Sequence, residues 1–339
     1  MLSFELDSLG VEPEAVHFGP STSQNTYVLA QAFRGMMQPG EAIVVTNQDH
    51  EANTGAWRRL AEMGAEIREW TIDPETGHLD LAKLDGLLDE KVRLVAFPHA
   101  SNIVGEINPV EEIVRRAHAA GAVTVVDGVS YAPHGLPDVT ALGADVYLFS
   151  AYKTFGPHQG VFTIRPALAA ELPNQGHFFN ETKLRYRLTP AGPDHAQIAA
   201  SAGIADYLEK VAEIAGPSIE GADPFRHAHD AMRAQETALM APLLDFLNTN
   251  GNRLRLIGPK TAEHRAPTFA LGLAAPGRDV ATRLARHGIM AGGGHFYGWR
   301  PLKALGIEPD HGVLRLSFVH YTTPEEIDRL IAALDAELG

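Results

Sequence analysis

Residues 123–153 read VTVVDGVSYAPHGLPDVTALGADVYLFSAYK. Two runs in this stretch, Val123–Val126 and Val146–Ser150, are apolar without alternation, the pattern of strands buried on both faces of a parallel sheet. Each is followed by a residue that can carry chemistry: Asp127 directly after the first run, and Lys153 after the second with two residues between. The chain between them is long enough for one crossover. In a parallel sheet both residues then reach the carboxyl edge, where open α/β folds place their ligands.

Further apolar runs at Ala42–Thr46, Val92–Phe97 and Val161–Ile164 extend the series. Helical periodicity fills the gaps at Ala52–Met63, Leu79–Leu88 and Val110–Ala120. Strands alternating with helices predict βαβ units and a mostly parallel sheet covered on both faces. The pattern changes after Arg165. Residues 172–195 are rich in Pro, Gly, Asn and His and predict a long loop region, and helices follow at about 196–214 and 226–250. From about residue 253 a smaller α/β unit runs to a final helix, with Thr323 as its cap, Pro324 at its first position, and Glu325 and Glu326 in its first turn. The expected fold class is therefore α/β, with a large domain over residues 1–225 and a linking helix plus small C-terminal domain over 226–339.

Composition narrows the function. With 42 acidic against 28 basic residues the formal charge is −14, which disfavours nucleic acid and anionic membranes as partners. None of the 339 residues is cysteine, which removes thiol mechanisms and disulfides and fits a reducing, cytoplasmic setting. No apolar run reaches membrane-spanning length. The N-terminal MLSFELDSLG carries acids where a secretory signal needs bases. No metal is expected, since spacing such as HExxH is absent, and Gly292-Gly293-Gly294 lacks the G-x-G-x-x-G form of a dinucleotide turn.

An acid and an amine at one sheet edge are the two groups that pyridoxal phosphate needs. The lysine forms the Schiff base, and the carboxylate keeps the pyridine nitrogen protonated. Either residue alone has an ordinary explanation, as an Asp-Gly turn or a solvated lysine. Ser21 and Thr22 lie before the helical stretch Tyr27–Met36, where hydroxyls and free N–H groups either hold a phosphate or simply cap the helix. His50, just past the strand Ala42–Thr46, has the shape to stack on a flat ring, and Asn102 sits where it could bond a ring oxygen, although loop-structuring is the commoner use of such an Asn. Arg315, inside the apolar run Val313–Phe318, needs an anionic partner. That partner is either a substrate carboxylate or a structural acid.

The runs HASNIVGEINPV, VVDGVSYAPHG and ALGADVYLFSAYKTFGPHQGV, with the ending LRLSFVHYTTPEEIDRLIAAL, resemble the class V aminotransferase family, especially its cysteine desulfurase-like branch. The likeness covers nearly the whole chain. It implies the pyridoxal-phosphate transferase fold type I, an amino-acid substrate and a homodimer with active sites at the subunit interface. By position it implies that Lys153 is the Schiff-base lysine, Asp127 the pyridinium partner, His50 the stacking ring, and Asn102 a contact to the ring's phenolic oxygen. Ser150, with Ser21 and Thr22, would hold the phosphate, and Arg315 would bind the substrate carboxylate.

Four positions depart from the pattern. The loop reading AGGGHFYGWRP has no thiol where desulfurases carry the sulfur-accepting cysteine. Ser130 stands where those enzymes often have glutamine, Tyr152 where they often have histidine, and Ala191-Gly192 where a Gly-Thr pair usually reaches the partner subunit's phosphate. The chain also begins roughly 60 residues later than family members usually do, so the arm that helps close their active site is expected to be missing. The sequence therefore predicts an enzyme that deprotonates an amino acid at Cα, leading to transamination, β-elimination or epimerisation, without persulfide transfer. The alternatives are a non-catalytic cofactor-binding protein on the same scaffold and a nucleotide-binding α/β enzyme.

Overall fold

The structure, a computed structural model, describes residues 9–217 and 223–338; residues 1–8 and 218–222 of the expected large domain lie outside it. A seven-stranded sheet organises the N-terminal two thirds. Its strands are β1 Val16–Gly19, β2 Ala42–Thr46, β3 Glu66–Trp70, β4 Val92–Pro98, β5 Val123–Asp127, β6 Val146–Ser150 and β7 Gly160–Ile164. The spatial order is β1-β7-β6-β5-β4-β2-β3. The five strands from β3 to β6 in that order are parallel, while β7 runs antiparallel to both β6 and β1.

Continuous apolar runs form these strands because successive side chains feed two different cores. Val125, Val146 and Leu148 pack on one side of the sheet with Leu29, Phe33 and Trp57. Val126, Tyr147 and Phe149 pack on the other with Ile113, Ala117 and Leu208. Helices covering the sheet include Thr22–Arg34, Glu51–Arg58, Val110–Ala119 and Gly203–Ala215.

Two strands of the large sheet escaped the sequence reading. β1 is only four residues long, and β3 (EIREW) is a half-exposed edge strand with no continuous apolar run. The helix expected at Leu79–Leu88 shrinks to Leu81–Asp85. Leu79 bridges to Ile72, Asp80 caps the turn by accepting from Ala82 N at 2.8 Å, and Gly86 follows. The segment 172–195 contains one turn of 3-10 helix at Phe178–Asn180 and a short helix at Leu184–Arg187.

A 26-residue helix, Pro224–Thr249, joins one of these cores to a third. Phe225, Ala228 and Met232 pack with Val126 and Phe149, and Leu239, Met240, Leu243 and Leu247 belong to the third core. This third core lies under a four-stranded antiparallel sheet of β8 Arg255–Leu256, β9 Thr268–Gly272, β10 Gly292–Gly294 and β11 Val313–Ser317, in the order β10-β11-β9-β8. The closing helix Pro324–Glu337 begins with a full capping box between Thr323 and Glu326. No described helix is long and apolar enough to cross a membrane.

Candidate active site

The carboxyl ends of β1, β2, β4, β5 and β6 all fall on one edge of the large sheet. Gly19 pairs with Gly160, which pairs with Ser150, and Asp127 pairs with Pro98. Above this edge lies a cleft of about 630 Å³, closed on its far side by β11 and by the loop after β10. All ten residues singled out in the sequence line it: Ser21, Thr22, His50, Asn102, Asp127, Ser130, Ser150, Tyr152, Lys153 and Arg315. Asp49, Phe296 and Tyr297 also line it and were missed. Asp49 adjoins a residue already picked, and residues 295–297 belong to the loop that the resemblance sets at the active site, although nothing local marks their rings as a wall of this cleft.

Asp127 ends β5. Its Oδ1 accepts from Val129 N at 2.8 Å, and its other oxygen takes no hydrogen bond from a described residue. Gly128 is required next, because a Cβ there would lie 2.2 Å from the Tyr147 ring. Burial raises the Asp127 carboxyl to about 6, against the Val129 N–H and the Lys153 charge, which both favour ionisation. Lys153 lies in a single 3-10 turn after β6. Burial lowers its pKa, Asp127 opposes that shift, and Arg315 reinforces it.

His50 caps the helix Glu51–Arg58, its Nδ1 accepting from Ala52 N at 3.0 Å. Burial, then the Lys153 and Arg315 charges, pull it down to about 4. At neutral pH the ring is therefore uncharged and carries its proton on Nε2. Asp49 behind it accepts from His50 N and Asn53 Nδ2, each at 2.7 Å. Burial and then Asp127 push this second carboxyl well above its ordinary range, against those two donors.

The phosphate candidates gather at the N-terminus of the 13-residue helix Thr22–Arg34. Ser21 caps it, and the Thr22 and Ser150 hydroxyls are 2.8 Å apart. Gly160 lets the strand beneath approach: a Cβ would lie 2.3 Å from Ser21 C and 2.4 Å from Thr22 N.

Asn102, expected to contact a ring oxygen of the cofactor, meets the loop after β10. Its Nδ2 donates to Phe296 O at 2.8 Å, which leaves Oδ1 buried without a partner. Arg315 donates to Asn102 O at 3.2 Å and lies 4.1 Å from the centre of the Phe296 ring. No carboxylate is paired with it among the described residues, so the structural ion pair raised from the sequence is not present. Tyr152 stacks on His158 at 4.7 Å. No group of three or more His, Asp or Glu placed to hold a metal occurs among the described residues.

The geometry fits pyridoxal phosphate. An amine, a carboxylate with a free oxygen, an uncharged flat ring, and a hydroxyl-lined helix N-terminus face one cavity, and a further guanidinium lacks an acid. Comparison with known proteins agrees. The model of the aminotransferase class-V family matches residues 8–330. The aminotransferase-like protein FGM3 of Gibberella zeae is 35% identical over 335 residues, covering 96% of this chain and 79% of that protein. A cysteine desulfurase of Serratia proteamaculans is 34% identical over 328 residues, covering 95% of this chain and 77% of its own. The apo structure of a cysteine desulfurase from Thermococcus onnurineus NA1 superposes with a TM-score of 0.85 at 25% identity, covering 99% of this chain and 82% of that one.

Proposed function

Since the chain belongs to the class V aminotransferase family, whose members depend on pyridoxal phosphate, we propose that it uses that cofactor on Lys153 to act on an α-amino acid, without transferring persulfide sulfur. The observation that carries this reading is the convergence of Lys153, Asp127 and Arg315 on one cleft. When bound, the cofactor supplies an electron sink that lets a bond at the substrate's Cα break.

The chain's own residues do the rest. The Asp127 carboxylate holds a proton on the pyridine nitrogen. The uncharged His50 ring would stack on the cofactor, and Thr22, Ser150 and the free N–H groups of the helix behind Ser21 would hold its phosphate. Ser130 and Tyr152 complete the cofactor's surroundings. Arg315 takes the substrate carboxylate in a bidentate grip. The Lys153 amine, made less basic by burial, moves the Cα proton. Transamination, β-elimination and epimerisation all begin from that transfer.

Persulfide chemistry is set aside because the loop 291–301 has no cysteine, and neither has the rest of the chain. We also assign a homodimer, supported by two phenylalanines, Phe178 and Phe179, that are 84% and 62% exposed.

The direct test is borohydride reduction of protein loaded with pyridoxal phosphate, followed by peptide mass spectrometry. A pyridoxyl group is expected on Lys153, together with visible absorbance that Lys153→Ala loses. A colourless protein, or label on another lysine, overturns the assignment.

A further inference from the structure

The loop after β10 departs from ordinary backbone geometry where it meets the cleft. Phe296 and Tyr297 both have positive φ, 49° and 58°, a left-handed conformation that costs a non-glycine residue about 1–3 kcal/mol. Two consecutive residues hold it because the large domain pins the turn. Asn102 Nδ2 donates to Phe296 O, and Glu51 N donates to Tyr297 O at 3.1 Å. The strained turn sets both residues at the border of the cleft. Phe296 covers the Arg315 guanidinium, and Tyr297 stands 5.2 Å from the His50 ring while keeping 68% of its surface open. Tyr27 and Tyr152, 46% and 44% exposed, line the same cleft.

We propose that this aromatic wall selects an α-amino acid with an aromatic side chain, its ring packed among Tyr27, Tyr152 and Tyr297 while Arg315 holds the carboxylate. The inference deepens the reading of the cleft as an amino-acid site and rests on it.

Charge argues for the same class. Five charged residues line the cleft: Asp49, Glu51, Asp127, Lys153 and Arg315. Glu51 is paired with Arg300 at 3.1 Å, and each Asp49 oxygen already accepts a hydrogen bond, from His50 N and from Asn53 Nδ2. Asp127 and Lys153 serve the cofactor, and Arg315 serves the carboxylate. Of these five, none remains for an acidic or a basic side chain; the Arg59 guanidinium, 5.4 Å over the Tyr27 ring, does not line the cleft. A small side chain such as that of alanine or cysteine leaves the three tyrosine rings uncontacted. An aromatic ring instead buries its faces against them in offset or edge-on contacts.

The test is a spectral titration of the pyridoxal-phosphate-loaded protein with L-phenylalanine, L-tryptophan, L-alanine, L-cysteine and L-aspartate. The aromatic amino acids are expected to perturb the cofactor band with a Kd about tenfold or more below that of alanine. Tyr297→Ala is expected to bring the alanine-to-phenylalanine Kd ratio toward one, and Tyr297→Phe to preserve it, because the ring and not the hydroxyl makes the contact. A band that responds equally well or better to alanine, cysteine or aspartate overturns the aromatic assignment and leaves the amino-acid reading standing. A ratio unchanged in Tyr297→Ala does the same. A band that responds to none of the five overturns both.

Discussion

At the residue scale, the cleft stores a cost that its ligand relieves. Asp127 forms no ion pair among the described residues, and its carboxyl is raised by burial to about 6, against an ordinary aspartate value of about 4. The folded chain therefore binds this proton more tightly than the unfolded chain does, so stability falls as pH rises from about 4 to 6 and the full penalty persists above that. Two pKa units correspond to about 3 kcal/mol as an upper bound. Asp127→Asn keeps an acceptor for Val129 N and removes the charge. The cofactor-free variant should thus be more stable than the parent by up to about 3 kcal/mol at pH 7 and equal to it near pH 4. Urea unfolding at several pH values measures this, and parallel profiles for the two proteins would refute the buried-charge account. Asp49, raised in the same direction, keeps some of the slope in both. Stability given up at this position is what a positively charged ring nitrogen would restore.

At the scale of elements, the phosphate end of the site depends on how closely one strand passes under one helix. Gly160 begins β7 directly beneath Ser21 and Thr22, and the atoms a Cβ would meet there are backbone, which cannot rotate away. Gly160→Ala should push the start of helix Thr22–Arg34 off the sheet edge and separate Thr22 from Ser150. The expected result is a loss of about 1–3 kcal/mol in stability together with a weakening of pyridoxal phosphate binding by tenfold or more, read by equilibrium dialysis. Undiminished cofactor affinity would show that this helix terminus is not the phosphate site. The same strands explain what the sequence disclosed. β2, β4, β5 and β6 are buried on both faces, so their runs are uniformly apolar and their carboxyl-end residues could be picked by position. β3 lies at the edge, mostly exposed or half-buried and without alternation, and β1 spans four residues, so neither leaves a pattern that periodicity detects. The loop of Phe296 and Tyr297 was expected at the site, but their rings were not singled out, for another reason. They reach the cleft through a left-handed turn fixed by Asn102 and Glu51, some 190 to 250 residues distant in sequence, and no local signal encodes that contact.

At the scale of the molecule, the cleft stays shaped because its two walls belong to lobes that are sewn together beneath it. Ala266 N donates to Gly105 O, Ile107 N to His264 O, and Gly258 N to Thr76 O, each between 2.8 and 3.0 Å. Ile72, Ile103 and Val104 of the large lobe share one core cluster with Ile257, Leu302 and Val313 of the small one. At the centre of this seam Arg265 is fully buried and spends its guanidinium on the carbonyls of Pro259, Thr268 and Ile257, at 2.7, 2.6 and 2.7 Å. It fixes the loop onto which Gly105 closes, at a φ of 72° with no room for a Cβ beside Thr268 O. Chains of this length commonly unfold lobe by lobe. Here the seam should make the parent protein unfold in one transition. Arg265→Ala strips donors from three buried carbonyls and should cost about 3–5 kcal/mol, borne mainly by the small lobe. Trp57 and Trp70 are fully buried in the large lobe, so tryptophan fluorescence weights that half while far-UV circular dichroism reports the whole. In Arg265→Ala the fluorescence midpoint should then lag behind the dichroism midpoint. If instead the two stay coincident at the parent value, Arg265 does not join the lobes, and the shape of the cleft must rest on the apolar cluster alone.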